Sequence, residues 1–291
     1  MKKIYLISLI FLITLFFSVK SFSIEKNIPQ TDEEWLKAYN SLPWEDGPLV
    51  FNYNEANSKI DISNEFSILQ GEDAHQMLFW LNGTSFAYVD MYAMSNTDSS
   101  QYLFFYTDSG YVKTDDWTDV DPDKFIKDIK ENYKASNTTR EQNGQPTITN
   151  VTWKKKPYLD GVYNSVYFAL NVTWSNNTST VEGKAIILGK EGYTTASYVG
   201  GDRGYDENML LNLSKMHKFN ATKEYKDWKA GDKVAAAGIG ALLATTLGVK
   251  ALKPGIIAAG LLLLKKFWFI IFLPFIWLGN LFKNSGKKKK R

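Results

Sequence analysis

The chain has 291 residues, a formal net charge of +3 and no cysteine. Lack of cysteine excludes disulfides, thiolate nucleophiles and cysteine-type zinc sites, so any exported body must hold together by burial alone. The modest net charge conceals a division: all 31 Asp and Glu lie between Glu25 and Asp232, where 20 Lys and Arg leave a net −11, while the 59 residues after Asp232 carry eleven Lys or Arg and no acid.

Lys2 and Lys3, the apolar residues 4–19 and then Ser21 and Ser23 read as a secretory signal over residues 1–23, cleaved after Ser23. The body, residues 24–232, is long enough for one large domain or for two subdomains divided near residues 140–146. Thr31 followed by Glu34 is a capping box and opens a helix that residues 41–47 end. Residues 59–62 and 66–69 have strand character, residues 72–81 fit a helix stopped by Asn82-Gly83, and residues 86–94 alternate as a strand. Residues 101–106 form an aromatic strand leading to a turn at Asp108-Ser109-Gly110. Asp121-Pro122 starts another helix, whose Phe125, Ile129 and Tyr133 repeat every four residues and face a core.

Beyond Gly144-Gln145-Pro146 the pattern turns to strands. Val166, Phe168, Leu170, Val172 and Trp174 take one face of a long strand, with Tyr167, Asn171 and Thr173 opposite. Asn176-Asn177 marks a hairpin that returns through 181–188 and then 193–199, and a last helix covers about 207–217 and ends near His217. Consecutive strands joined by short turns, with helices between, predict an α+β class: an antiparallel sheet packed by helices in an exported domain, followed by a C-terminal helical membrane segment.

That segment, residues 233–291, begins with a small-residue stretch in which Ala236, Gly240, Ala244 and Gly248 fall on one helix face and would admit a second helix closely. Lys250, Lys253 and Pro254 interrupt it, and Lys265-Lys266 divides the apolar stretch that follows. A lysine at a helix centre costs roughly 2.5–3.5 kcal/mol, so one helix over 256–282 is unfavourable. The expected single span is 267–282, with Phe267, Trp268, Phe272 and Trp277, short against the ~20 residues of a full crossing. The terminal basic run, including Lys288 and Arg291, stays cytoplasmic and would hold membrane lipid at roughly 1 kcal/mol per residue.

Residues 105–116, with Tyr106, Asp108, Gly110, Lys113, Asp115 and Asp116, resemble the signature of a bacterial family of membrane-anchored proteins. Further matches follow at 119–125, at Trp153 with Pro157-Tyr158, at 188–192 and at 231–238, with 42–48 upstream. The family is catalogued as a domain of unknown function, number two thousand one hundred and sixty-seven. Trp117 interrupts an acidic run that its members often carry. The resemblance implies export and a C-terminal anchor; with the basic C-terminus, the expectation is a bacterial inner-membrane protein, its N-terminal domain periplasmic or extracytoplasmic and its C-terminus cytoplasmic. It implies no activity.

Candidate chemistry is sparse. Asp119, Asp121 and Asp123 have the alternate spacing that opens a calcium loop, but Lys124 stands at the turn-glycine place and Lys130 at the closing-glutamate place. Acids at a helix start do the same work as a cap. Trp153, Lys155 and Tyr158, within a basic spot made by Lys154 to Lys156, are the candidate binding residues. His75 and His217 have no second ligand at metal spacing. No cofactor is implied, and an acidic body repels polyanions, which argues against nucleic acid. Three readings follow. The first is a non-enzymatic domain that binds an envelope partner or ligand. The second is an enzyme acting on an envelope component through Asp108, Asp115 and Asp116. The third is a membrane-complex or transport-accessory subunit that self-associates through its tail helices.

Overall fold

Thr31 begins the first helix as the capping box predicts. Its hydroxyl accepts the Glu34 N–H at 3.2 Å, and the Glu34 carboxylate accepts the Thr31 N–H at 3.3 Å. The structure is a computed structural model that describes residues 27–82, 89–142 and 146–249. The expected signal, residues 1–23, and the expected span with Phe267, Trp268, Phe272, Trp277, Lys288 and Arg291 lie outside the described residues. Among those described, no helix is long and apolar enough to cross a membrane.

In chain order the elements are α1 (Asp32–Ser41), β1 (Glu45–Asp46), β2 (Leu49–Tyr53), β3 (Ser58–Ile62), β4 (Phe66–Gln70), α2 (Gly71–Asn82), β5 (Met91–Ser95) and β6 (Gln101–Thr107). A 3-10 turn at Asp115–Asp119 leads to α3 (Pro122–Gln142). The long strands β7 (Ile148–Asp160), β8 (Ser165–Trp174), β9 (Ser179–Leu188) and β10 (Tyr193–Gly201) follow, then α4 (Met209–Met216), β11 (His217–Phe219) and α5 (Ile239–Thr246). Eight strands form one sheet in the order β1-β4-β5-β6-β10-β9-β8-β7, and β11-β3-β2 form a second. Every pairing of neighbouring strands is antiparallel. The α+β class with a large antiparallel sheet packed by helices is therefore what the chain adopts. The sheet is joined at its middle by β6 and β10, from Tyr193 opposite Thr107 to Val199 opposite Gln101. Residues 140–146 consequently do not separate two sheets.

Both faces of this sheet are covered. On one face, Val166, Phe168, Leu170, Val172 and Trp174 of β8 meet Phe125, Ile129 and Tyr133 of α3 and Ile239, Leu242 and Leu243 of α5. Farther along the same face, α1 and α2 bring Trp35, Met77, Leu78 and Trp80 onto Leu69, Tyr92, Leu103 and Val199. The opposite face, with Tyr167, Ala185, Ala196 and Tyr198, is closed by Tyr53 and Ile60 of the small sheet and by Leu210 and Leu213 of α4. Each large side chain fully buried in this way contributes roughly 1.5–3 kcal/mol.

Several local expectations are corrected. His217 is the first residue of a strand, because its backbone is extended (φ −87°, ψ 124°) and β11 pairs it with Ile60. The strand expected over 86–94 begins only at Met91; residues 86–88 lie outside the described residues. Asp90, expected on a strand face, is buried and accepts the Tyr53 hydroxyl and, at 2.7 Å, the Tyr106 N–H. The small sheet's β2 carried no clear sequence signal. Most consequentially, the chain past Asp232 remains within the body. Tyr111 N–H donates to Lys233 O at 2.9 Å, Ala235 N–H to Tyr111 O at 2.9 Å and Ile239 N–H to Lys113 O at 2.8 Å, which lays α5 against α3.

Candidate functional site

The three acids of the enzymatic reading do separate structural jobs. Asp108 is exposed and pairs with Lys233 at 2.8 Å. Asp115 is an exposed member of the 3-10 turn. Asp116 caps α5: its carboxylate accepts the Gly240 N–H at 2.9 Å and the Ala241 N–H at 3.1 Å. Glycine is required opposite it, because a Cβ on Gly238 would lie 2.5 Å from Asp116 Oδ1 and one on Gly240 would lie 2.8 Å from its backbone oxygen. Of the small residues read as a docking face for another helix, Gly240 is instead space for Asp116.

The alternate acids are also in use. Asp121 Oδ1 accepts the N–H groups of Asp123 and Lys124 at 3.0 and 3.1 Å and so caps α3. Asp123 pairs with Lys156 at 2.8 Å, which holds its carboxyl below the usual range, and Asp119 is exposed on the turn before the helix. Among the described residues no group of three His, Asp or Glu is placed to hold a metal ion.

Trp153, Lys155 and Tyr158 do not form one surface. Register shifts in β7 on either side of Lys155 rotate the strand between them. Trp153 turns under α3, donating to Pro122 O at 3.0 Å and packing edge-on against Phe168, whereas Tyr158 is 55% exposed. The flanking lysines also diverge, Lys154 to Asp202 at 2.7 Å and Lys156 to Asp123.

Two other groups stand out. The first is His217, buried, with Nε2 3.0 Å from both the Ser58 and Thr194 hydroxyls. Burial pushes its pKa down to about 3, so the ring is neutral. Ser58 and His217 are 2% and 4% exposed, so the pair is a sealed strut between the two sheets. His75 likewise serves the fold, accepting the Val89 N–H at 2.9 Å.

The second is a polar patch on the helix-covered face of β9. Alternation along β9 puts Val181 and Ala185 against the small sheet and turns Glu182 and Lys184 toward α3. Tyr133 of α3 donates its hydroxyl to Glu182 Oε2 at 2.8 Å. Arg140, buried near the end of the same helix, lies with its guanidinium 4.7 Å from the Trp174 ring centre. Glu182 and Lys184 keep partial solvent contact, but their charged ends are crowded by protein. Burial pushes the Glu182 carboxyl up to about 7, against the lowering effects of the Tyr133 hydroxyl, Lys184 and Arg140. Burial pulls the Lys184 ammonium down to about 8, against the attraction of Glu182. The Lys184 ammonium makes no hydrogen bond or ion pair with any described residue.

The strands beside it add uncompensated polar atoms. Ser197 on β10 stands opposite Lys184, and Val199 separates Glu182 from Gln101 on β6. Ser197 Oγ and Gln101 Oε1 are buried without a hydrogen-bond partner. Buried polar atoms are paired in the great majority of cases, and here two unpaired ones flank two half-buried ionisable groups, which makes this patch the candidate site. In the sequence, Glu182 and Lys184 have the look of the wet side of an ordinary strand. No local signal says that Tyr133 of α3 will reach Glu182.

None of the curated proteins compared matches the chain. A solved structure, cyanobacterial PsbP (CyanoP) from Synechocystis sp. PCC 6803, is similar over 59% of this chain and 92% of its own, at 10% identity and a TM-score of 0.33. The family described as "Protein of unknown function (DUF2167)" matches residues 46–276, from β1 through α5 and beyond, and this chain belongs to that family.

Proposed function

We propose that the protein is a non-enzymatic binding domain held at the bacterial inner membrane by the segment that follows α5, with its body on the extracytoplasmic side, and that a ligand binds at the Glu182–Lys184 patch. The observation that carries the binding half is Lys184: an ammonium on a helix-covered sheet face, with no pairing to any described residue, beside Ser197 and Glu182. Crowding by protein lowers the pKa of this partly exposed ammonium, so its charge is costly there unless an anion joins it. The membrane half rests on the sequence of residues 250–291, apolar and basic without a single acid.

The pair also supports a second reading. A carboxyl raised to about 7 and an amine lowered to about 8 are suited to proton transfer near neutrality, so Glu182 would be the acid–base group of an enzyme. Both readings are tested by extracting the full chain from membranes and weighing it intact under native conditions. Binding predicts a small adduct in the membrane-derived protein that is absent from Lys184→Met and that is recovered chemically unchanged after prolonged incubation. Conversion of the released molecule favours the enzyme. A wild-type protein that shows no adduct, or whose adduct survives in Lys184→Met, overturns the site, and recovery in the soluble fraction overturns the anchor.

A further inference from the structure

The patch is specific about the chemistry that would complete it. Lys184 offers donors and a positive charge. Glu182 has committed one oxygen to Tyr133 and keeps the other. Ser197, across from Lys184 in the strand pairing, is 2% exposed and its Oγ has no partner; Gln101, on the far side of Val199 from Glu182, is 3% exposed and its Oε1 is an acceptor without a donor. One half of the patch therefore calls for an anionic oxygen and the other half for N–H donors, and the two halves stand two residues apart on one strand, about 6.6 Å. Long, unbranched side chains at both positions can close on charges carried by neighbouring atoms. An inorganic anion would answer Lys184 alone and would be repelled by Glu182. A simple amine would answer Glu182 and meet Lys184 and Arg140.

Resting on the binding reading above, we propose that the ligand is a small zwitterion of the amino-acid type, its carboxylate held by Lys184 with Ser197 and its ammonium by the free oxygen of Glu182, with Gln101 as the outer acceptor. Lys184 and Glu182 are then the specificity-determining residues, one for each end. Charge-assisted hydrogen bonds of this kind, formed away from bulk water, are the strong ones.

The test uses four probes of one shape: alanine, lactate, propionate and ethylamine. Titrated calorimetrically into the full-length protein in detergent at neutral pH, alanine binds most tightly. Lactate, which keeps the carboxylate and replaces the ammonium by a hydroxyl, binds on the order of tenfold more weakly, and propionate and ethylamine more weakly still. Lys184→Met weakens alanine and lactate together, whereas Glu182→Gln brings alanine down to the level of lactate. Cooperative unfolding of each variant checks that it is folded before it is titrated. Propionate binding as well as alanine would make this an anion site and overturn the proposal, as would lactate equal to alanine in the unaltered protein. If none of the four binds while the native mass still shows an adduct that requires Lys184, the binding reading stands and the zwitterion is wrong.

Discussion

His217 illustrates how one ionisable side chain makes stability depend on pH. Its ring bridges Ser58 of β3 and Thr194 of β10 in the neutral form, and burial holds its folded pKa near 3 against an ordinary 6.5. The unfolded chain takes up the proton first. The stability that His217 contributes is therefore complete above pH 6.5 and is lost as pH falls from there toward 3, at up to about 1.4 kcal/mol per pH unit. Urea unfolding at pH 7.5, 6, 5 and 4 should show this slope, and His217→Gln should flatten it. A slope unchanged in that variant would place the acid sensitivity elsewhere. The sequence places His217 near a helix end, where a positive charge is welcome; the extended backbone that closes α4 puts it between two sheets instead, where a charge is excluded.

At the scale of elements, α5 and the 3-10 turn at Asp115–Asp119 are a matched pair. The helix starts without a side-chain cap from its own N-cap residue, Gly238, and receives one from Asp116, more than a hundred positions earlier. Asp116→Ala should lower stability by about 1–2 kcal/mol, the usual loss for a helix cap, as read from the shift of a chemical unfolding midpoint. Asp116→Asn, which keeps an acceptor, should lose less. An unshifted midpoint in the alanine variant would mean that the cap is not felt. Helices with their signals inside one segment were legible: α1 from Thr31 and Glu34, α3 from Asp121-Pro122 and its apolar repeat. The partner of Asp116 was not, because a cap supplied from a distant loop leaves no local pattern.

For the whole molecule, the question is where the body ends. Composition changes after Asp232, yet Ile239, Leu242 and Leu243 close the core over α3, and the strand-like pairing of Lys233 to Ala235 with Tyr111 stitches the connection. A chain ending after Val249 should unfold in one cooperative step, and a chain ending after Asp232 should expose the α3 side of the sheet, bind a hydrophobic dye and lose cooperativity. Equal unfolding midpoints for the two would show that α5 lies outside the folding unit.

By itself the sequence determined the α+β class, most strand and helix positions and the long β8 with its alternating face, because side-chain periodicity and caps are local properties of the chain. Only the tertiary structure decided that one continuous sheet spans both sides of residues 140–146, that α5 belongs to the core, and that Tyr133 of α3 reaches Glu182 beside Lys184. Alternation says that two side chains share a face of a strand. Whether that face meets water or a packed helix depends on elements far away in the chain, and that choice turned an ordinary polar pair into the candidate site.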